Sequence, residues 1–282
     1  MFRSVIIGLL AAPLAASTVA AKPQRVVSLY LCADELVLQL AEPRNIASVT
    51  FLSRDPLNSN VADLAARVPI NRGLAEEVLA QRPDVAIASA YDARPAVAML
   101  KRAGVPVVNL GAPPRNIDEI RRDIRAVADA VGEPDKGERM IAGIDARLAV
   151  LPVPPRGRKL SAIVLNPNGF TIGAGSLVDE IFARAGIDNL AARAGVDNYG
   201  RLPLETLVRS GADIAILNAD RDGPPSLATE FLRHPVLAGL DQRTRLVVLP
   251  ARLWTCGGPA VVEAIERLAA IARDNRRAGT TP

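Results

Sequence analysis

The 282-residue chain has one histidine, His234, and no cluster of His, Cys and carboxylates at metal-ligand spacing. This argues against a resident metal centre. Aromatics make up only 3% of the chain, so where they fall carries information. The net charge is +4 with no basic run, which argues against nucleic-acid binding. A phosphate-loop signature is absent. Gly173-Ala174-Gly175-Ser176 only loosely matches a nucleophile elbow, because the following Gly is missing, and Ser176 is read instead as a helix cap. No catalytic residue is assigned. Past the first two dozen residues, no apolar stretch approaches membrane-spanning length.

That first stretch has its own pattern. Arg3 is followed by an apolar run, Val5 to Leu14, and then by small residues ending at Val19-Ala20-Ala21. The pattern predicts a secretory leader, residues 1–21, cleaved near Ala21. The expected home is the periplasm, with no lipid anchor because no Cys stands at the cleavage point. In that oxidising compartment Cys32 and Cys256 have three options open: a disulfide, separate thiols, or a share in a metal centre.

A stretch of the sequence occurs twice. Arg72 to Ile87 and Arg201 to Ile216 lie at a constant offset of 129 residues, with identities at Arg72/Arg201, Glu76/Glu205, Asp84/Asp213, Ala86/Ala215 and Ile87/Ile216. Each copy reads as a short helix bearing a Glu, then a turn, an Asp and a buried strand. Two copies at so long a period predict two similar lobes, not a solenoid. Chance similarity between ordinary helix-strand units is the competing explanation.

The rest of the chain shares this grammar. Apolar runs at Arg25–Tyr30, Ile46–Thr50, Val85–Ala88, Val105–Leu110, Leu160–Leu165, Ile214–Leu217 and Leu246–Leu249 alternate with helical patterns, as in parallel sheets covered on both faces. Between the lobes, Asn116 to Leu151 is helical and charged. If unbroken, its roughly 35 residues would reach roughly 50 Å, with Gly132-Glu133-Pro134 as a place for a bend or break. Pro152 to Gly157 reads as a stiff linker. The expected fold is therefore α/β, two Rossmann-like lobes with mostly parallel sheets. Its parts are an N-terminal lobe (22–114), a connecting helix and linker (115–155), a C-terminal lobe (156–274) and a loose tail (275–282). A short helical region is expected at Glu230 to Leu237, with His234 at its end, and a terminal helix from Gly257-Gly258-Pro259 to about Arg273.

Ligands of parallel α/β sheets bind beyond the carboxyl ends of the strands. Tyr30, Phe51, Tyr91, Phe170 and Trp254 all follow predicted strands, and Tyr199 precedes the second repeat. Phe182 and Phe231 read as helix core. If the lobes face each other through these edges, the aromatics wall one cleft suited to a large, flat or ring-bearing ligand. Arg54, Arg72, Arg94, Arg201, Arg221 and Arg252 lie in the same region and offer forked hydrogen bonds to an anion. The candidate ligand-binding set is Tyr30, Cys32, Phe51, Arg54, Tyr91, Phe170, Tyr199, Arg252 and Trp254. The symmetric pair Glu76 and Glu205 suggests docking onto a two-fold partner that carries cations.

These features resemble one family. The Arg25-Val26-Val27-Ser28-Leu29 strand, the two Glu…Asp-(Val/Ile)-Ala-Ile repeats, the helical connection and Gly173 to Glu180 are similar to periplasmic solute-binding proteins of ABC importers for vitamin B12, ferric siderophores and haem. The resemblance covers Arg25 to about Arg273. It implies two lobes joined by one long helix, a ligand between them, little hinge motion and no enzymatic activity. It also implies that Glu76 and Glu205 meet arginines of an inner-membrane permease dimer. Tyr30 to Asp34 and Leu253 to Gly258 look like the loops of cobalamin or iron-complex binders, so the implied ligand is cobalamin or a ferric chelate, bound by a monomer with no cofactor of its own. A haem binder would have to use Tyr as its iron ligand, since no cleft His is available. The rival reading is a periplasmic enzyme with Cys256 or Cys32 as nucleophile.

Overall fold

Successive strand residues point to opposite faces of a sheet, and in this chain both faces are apolar. Val26, Val85 and Ile87 face one core while Val27, Leu29, Ala86 and Ala88 face another. In the second half, Ala162, Val164, Ile214 and Ile216 face the first core, and Ile163, Leu165, Ala215 and Leu217 face a third. The computed structural model describes residues 22–152, 158–209, 211–217 and 244–278. The expected leader, most of the proline linker, and the region around Arg221, Phe231 and His234 lie outside the described residues.

The N-terminal lobe runs β1 (Val26–Ser28), α1 (Leu31–Leu40), β2 (Ile46–Thr50), α2 (Ala62–Ala65), β3 (Ile70–Asn71), α3 (Ala75–Ala80), β4 (Val85–Ala88), α4 (Arg94–Arg102) and β5 (Val107–Asn109). Its parallel sheet has the order β3-β2-β1-β4-β5. Helices α5 (Ile117–Ala130) and α6 (Pro134–Ala149) make the connection. The C-terminal lobe runs β6 (Leu160–Leu165), β7 (Phe170–Ile172), α7 (Leu177–Ala185), β8 (Ile187–Asn189), α8 (Leu190–Arg193), β9 (Tyr199–Arg201), α9 (Leu204–Arg209), β10 (Ile214–Leu217), β11 (Arg245–Val248), α10 (Arg252–Thr255) and α11 (Ala260–Ala278). Its parallel sheet has the order β11-β10-β6-β8, and β7 and β9 form a separate antiparallel pair.

The repeat is structural. Strand order β2-β1-β4-β5 in one lobe corresponds to β8-β6-β10-β11 in the other. Ala86 and Ala215 face outward while Ile87 and Ile216 face the shared central core. The matched aspartates do the same job. Asp84 accepts from the backbone N–H groups of Gln24 (2.7 Å) and Arg25 (3.0 Å), just ahead of β1. Asp213 accepts from the N–H (2.8 Å) and hydroxyl (2.9 Å) of Ser161, beside it in β6, and pairs with Arg158. Each carboxylate ties the start of its own strand to the neighbouring one, which explains its fixed distance from the strand. The matched arginines have diverged. Arg72 is exposed, whereas Arg201 lies over the Phe170 ring at 4.5 Å.

The connection differs from one continuous strut. Gly132, at φ 72°, ends the first helix in the left-handed region, and Pro134 opens the second. Arg121 pairs with Asp145 and Arg125 with Glu138. Partner numbers rise on one helix as they fall on the other, so α5 and α6 lie antiparallel. A Cβ at Gly137 would come within 2.5 Å of the Ala128 Cβ, so glycine permits this close approach. The apolar stripe expected along the segment is real, but it folds back on itself. Two smaller expectations also shift. The last strand is a half-exposed edge, with Val248 66% accessible, and α11 continues to Ala278, through the first part of the expected loose tail.

The inner faces of both sheets pack on one cluster that includes Leu36 and Leu40 of α1, Ile120 and Ile124 of α5, Ile144 of α6, Phe182 of α7 and Ile265 of α11. The lobes thus share a core. If Asp84 and Asp213 are equivalent ties, Asp84→Ala and Asp213→Ala each lower stability by about 1–3 kcal/mol. Urea midpoints test this, and a neutral effect at either site contradicts the equivalence.

Candidate functional site

A cavity of about 380 Å³ opens where the strand ends of the two lobes approach. One wall is Ala112 to Arg115, between β5 and α5. The second comprises Asn166, Ile172, the start of α7 at Ser176 to Val178, Asn198 and Tyr199. Trp254 and Thr255 of α10 complete it. Ser176 caps α7 as expected, accepting from the Asp179 N–H at 3.1 Å. Sequence reasoning anticipated Trp254 and Tyr199 here. It missed Asn166, Asn198 and the Ala-Pro-Pro-Arg wall, although 112–115 follows a strand end and the same rule applies to it.

The β7–β9 pair builds an aromatic shelf beside the cavity. Tyr199 and Arg201 stand two residues apart on one strand, with Phe170 opposite Arg201. The Phe170 and Tyr199 rings stack at 5.1 Å and 8°, and the Arg201 guanidinium adds a cation–π contact to Phe170. The stack holds Tyr199 at the cavity edge while leaving 56% of it accessible. Phe51 and Tyr91 are exposed at the ends of β2 and β4, where the strand rule put them, but they do not line the cavity.

Other candidates are occupied by the protein itself. Arg54 donates to the carbonyls of Ala65 (3.2 Å) and Val68 (2.8 Å), closing the end of α2. Arg252 donates to the Asn60 side chain at 3.0 Å, while the Asn60 amide returns a bond to the Arg252 carbonyl at 2.7 Å. Asn60 is held in turn by Glu35, through its N–H at 2.9 Å. Arg54 remains exposed and Arg252 half-buried around these bonds. Tyr30 is half-buried, and its hydroxyl is enclosed with no hydrogen-bond partner among the described residues. Burial, then the charges of Asp92 and Asp123, push its phenol well above the usual tyrosine range.

Cys32 and Cys256 form a disulfide, with Cα atoms 4.9 Å apart, joining the start of α1 in one lobe to the residue after α10 in the other. This selects the first of the three open arrangements and removes both thiols as nucleophiles, so the enzyme alternative loses its reactive group. Among the described residues, no group of three or more His, Cys, Asp or Glu is placed to hold a metal ion.

Next to the disulfide, the N-terminal lobe buries two adjacent carboxyls. Asp34 is fully enclosed and pushed up to about 7, because burial outweighs the donations from Ser28 and Thr50. Glu35 is also raised, by burial against the opposing effects of Asn60 and Arg252. A carboxyl with a folded-state pKa above its unfolded value binds its proton more tightly in the native state. Its protonation therefore favours folding, and that contribution is lost as pH rises from about 4 to about 7. Asp34→Asn should flatten the fall in unfolding free energy across this window, and an unchanged slope would contradict the assignment. The disulfide spans 224 residues of sequence. Replacing both cysteines by serine should lower stability by about 3–5 kcal/mol, read from chemical denaturation.

The periplasmic binding protein family model matches residues 26–252. Solved structures share the fold. A periplasmic haem-binding protein from Pseudomonas aeruginosa is 26% identical, with 89% of this chain and 92% of that chain covered at a TM-score of 0.64. The periplasmic haem-binding protein RhuT from Roseiflexus is 24% identical, with 89% and 98% covered at 0.73. The vitamin B12 binding protein BtuF of Vibrio cholerae is 17% identical, with 90% and 98% covered at 0.64. No curated protein sequence matches. A family model matched over most of the chain, on a duplicated two-lobe α/β fold with its cavity at the strand ends, places this chain in the periplasmic binding protein family.

Proposed function

We propose that this chain is an exported receptor that captures a metal chelate and hands it to an ABC permease. The observation that carries the reading is the interlobe cavity, walled by Trp254 and edged by Tyr199 on its Phe170–Arg201 support. Rigid rings on two sides suit a flat or ring-bearing ligand with few charges. Structures sharing this fold include binding proteins for haem and for vitamin B12 and a protein of an Fe³⁺-hydroxamate transport system. The stacked rings favour a ring-bearing chelate such as a corrinoid over a siderophore without a large flat ring. Arg115 at the cavity wall, paired only at the surface with Glu119, is free to meet an acidic substituent of such a ligand. Haem, whose flat ring fits the same walls, is the next candidate.

Glu76 and Glu205 support the delivery half of the proposal. Both are exposed in the first turns of α3 and α9, at matching positions of the two lobes. A permease dimer that presents basic residues on two equivalent subunits would meet one carboxylate from each lobe. Exposed charges of this kind act mainly on encounter and orientation. The double variant Glu76→Lys, Glu205→Lys should therefore bind its ligand normally yet lose most uptake of labelled cobalamin or haem in cells. Full uptake by the double variant would remove the docking role.

A further inference from the structure

The segment Arg252 to Gly257 follows the last strand of the C-terminal lobe and packs on α11 there, yet three further attachments lead out of that lobe. Arg252 exchanges two hydrogen bonds with Asn60, which Glu35 anchors on the N-terminal lobe. Cys256 is bonded to Cys32 at the start of α1. Gly257 sits against the connecting segment, where a Cβ would meet Pro114 and come within 2.7 Å of the Ile120 side chain. Trp254 lies between the first two of these attachments. It is 4% exposed, its neighbour Leu253 is fully buried, and it lines the cavity.

We propose that residues 252–257 form a strap by which the C-terminal lobe grips the N-terminal lobe, and that this grip sets Trp254 in the cleft before any ligand arrives. A four-residue helix cannot hold its own orientation in water, so the pose of α10 comes from its attachments. One is covalent, one is a two-way hydrogen bond relayed to a buried carboxylate, and one is a close packing that only glycine allows. All three reach across from the lobe that carries the segment. Arg252 and Asn60 thus act as positioning residues through Trp254. A preset wall avoids the ordering cost that a mobile one would impose on binding. The effect on a ligand rests on the receptor reading above; the strap itself does not.

Trp254 is the only tryptophan, so its emission reports the strap directly. The experiment compares the oxidised native protein with the Cys32→Ser/Cys256→Ser double variant and with Asn60→Ala, which keeps the disulfide. Emission maximum and acrylamide quenching are recorded without ligand, and far-UV circular dichroism verifies folding. Each protein is then titrated with cyanocobalamin, haemin and a ferric trihydroxamate. The expected result is red-shifted emission and stronger quenching in both variants, largest in the folded double-serine protein. If the preset arrangement falls to about a tenth of molecules, apparent affinity falls about tenfold. Should the double-serine protein fail to fold, Asn60→Ala decides the matter alone. Unmoved emission and quenching in every folded variant overturns the strap. Moved emission with unchanged affinity for a probe the native protein binds overturns its role at the site. A native protein that binds none of the probes counts against the ligand class, and the ligand-free emission still decides the strap.

Discussion

Two sheets of the same topology back onto a single apolar layer, and most of the structure depends on that sharing. Ile87 and Ile216, on equivalent strands of the two lobes, face it from opposite sides. Helices α1, α5, α6, α7 and α11 fill the space between. A shared core of this kind limits how far the lobes move apart, because opening would expose apolar surface on both. The disulfide from Cys32 to Cys256 adds a covalent limit at the cleft end of that core. Both constraints act at the edge of the cavity.

The same framing carries an energetic cost near the disulfide. Asp34 and Glu35 follow Cys32 within one turn of α1 and are both enclosed. Glu35 is used, since it holds the Asn60 that holds Arg252. Asp34 receives the Thr50 N–H at 3.1 Å and its hydroxyl at 2.5 Å, tying α1 to the end of β2. Buried carboxyls are costly when ionised, and here they sit where the first lobe must keep α1 in register with the strap. Both carboxylates are thus spent on fixing the geometry of α1 and its neighbours.

Much of this architecture was legible in the sequence because its signals are local. Continuous apolar runs at Val85 to Ala88 and Ile214 to Leu217 mark strands buried on both faces, and the aspartate before each marks the repeat. The Ser176 cap was readable from the residues around it. What was hidden is non-local. The apolar stripe from Ile117 to Leu148 continues in phase through Gly132, so periodicity alone does not tell a straight helix from a hairpin. The fold-back is declared by Arg121–Asp145 and Arg125–Glu138, pairs that exist only once the chain has turned. The internal partners of Arg54 and Arg252 lie 11 to 192 residues away, beyond the reach of any local pattern. Tyr199 and Phe170 were picked as site rings, while the three-residue strands that stack them were too short to register as a pattern.

The central claim is that the interlobe cavity holds a ring-bearing metal chelate. The most direct test is calorimetric titration of the purified protein with cyanocobalamin, alongside Trp254 quenching and a parallel titration of a Tyr199→Ala variant. The account predicts one-to-one binding that quenches Trp254 and weakens by about 1–3 kcal/mol on loss of the stacking ring. Binding that leaves both Trp254 emission and the Tyr199→Ala affinity unchanged would place the ligand elsewhere and contradict the account.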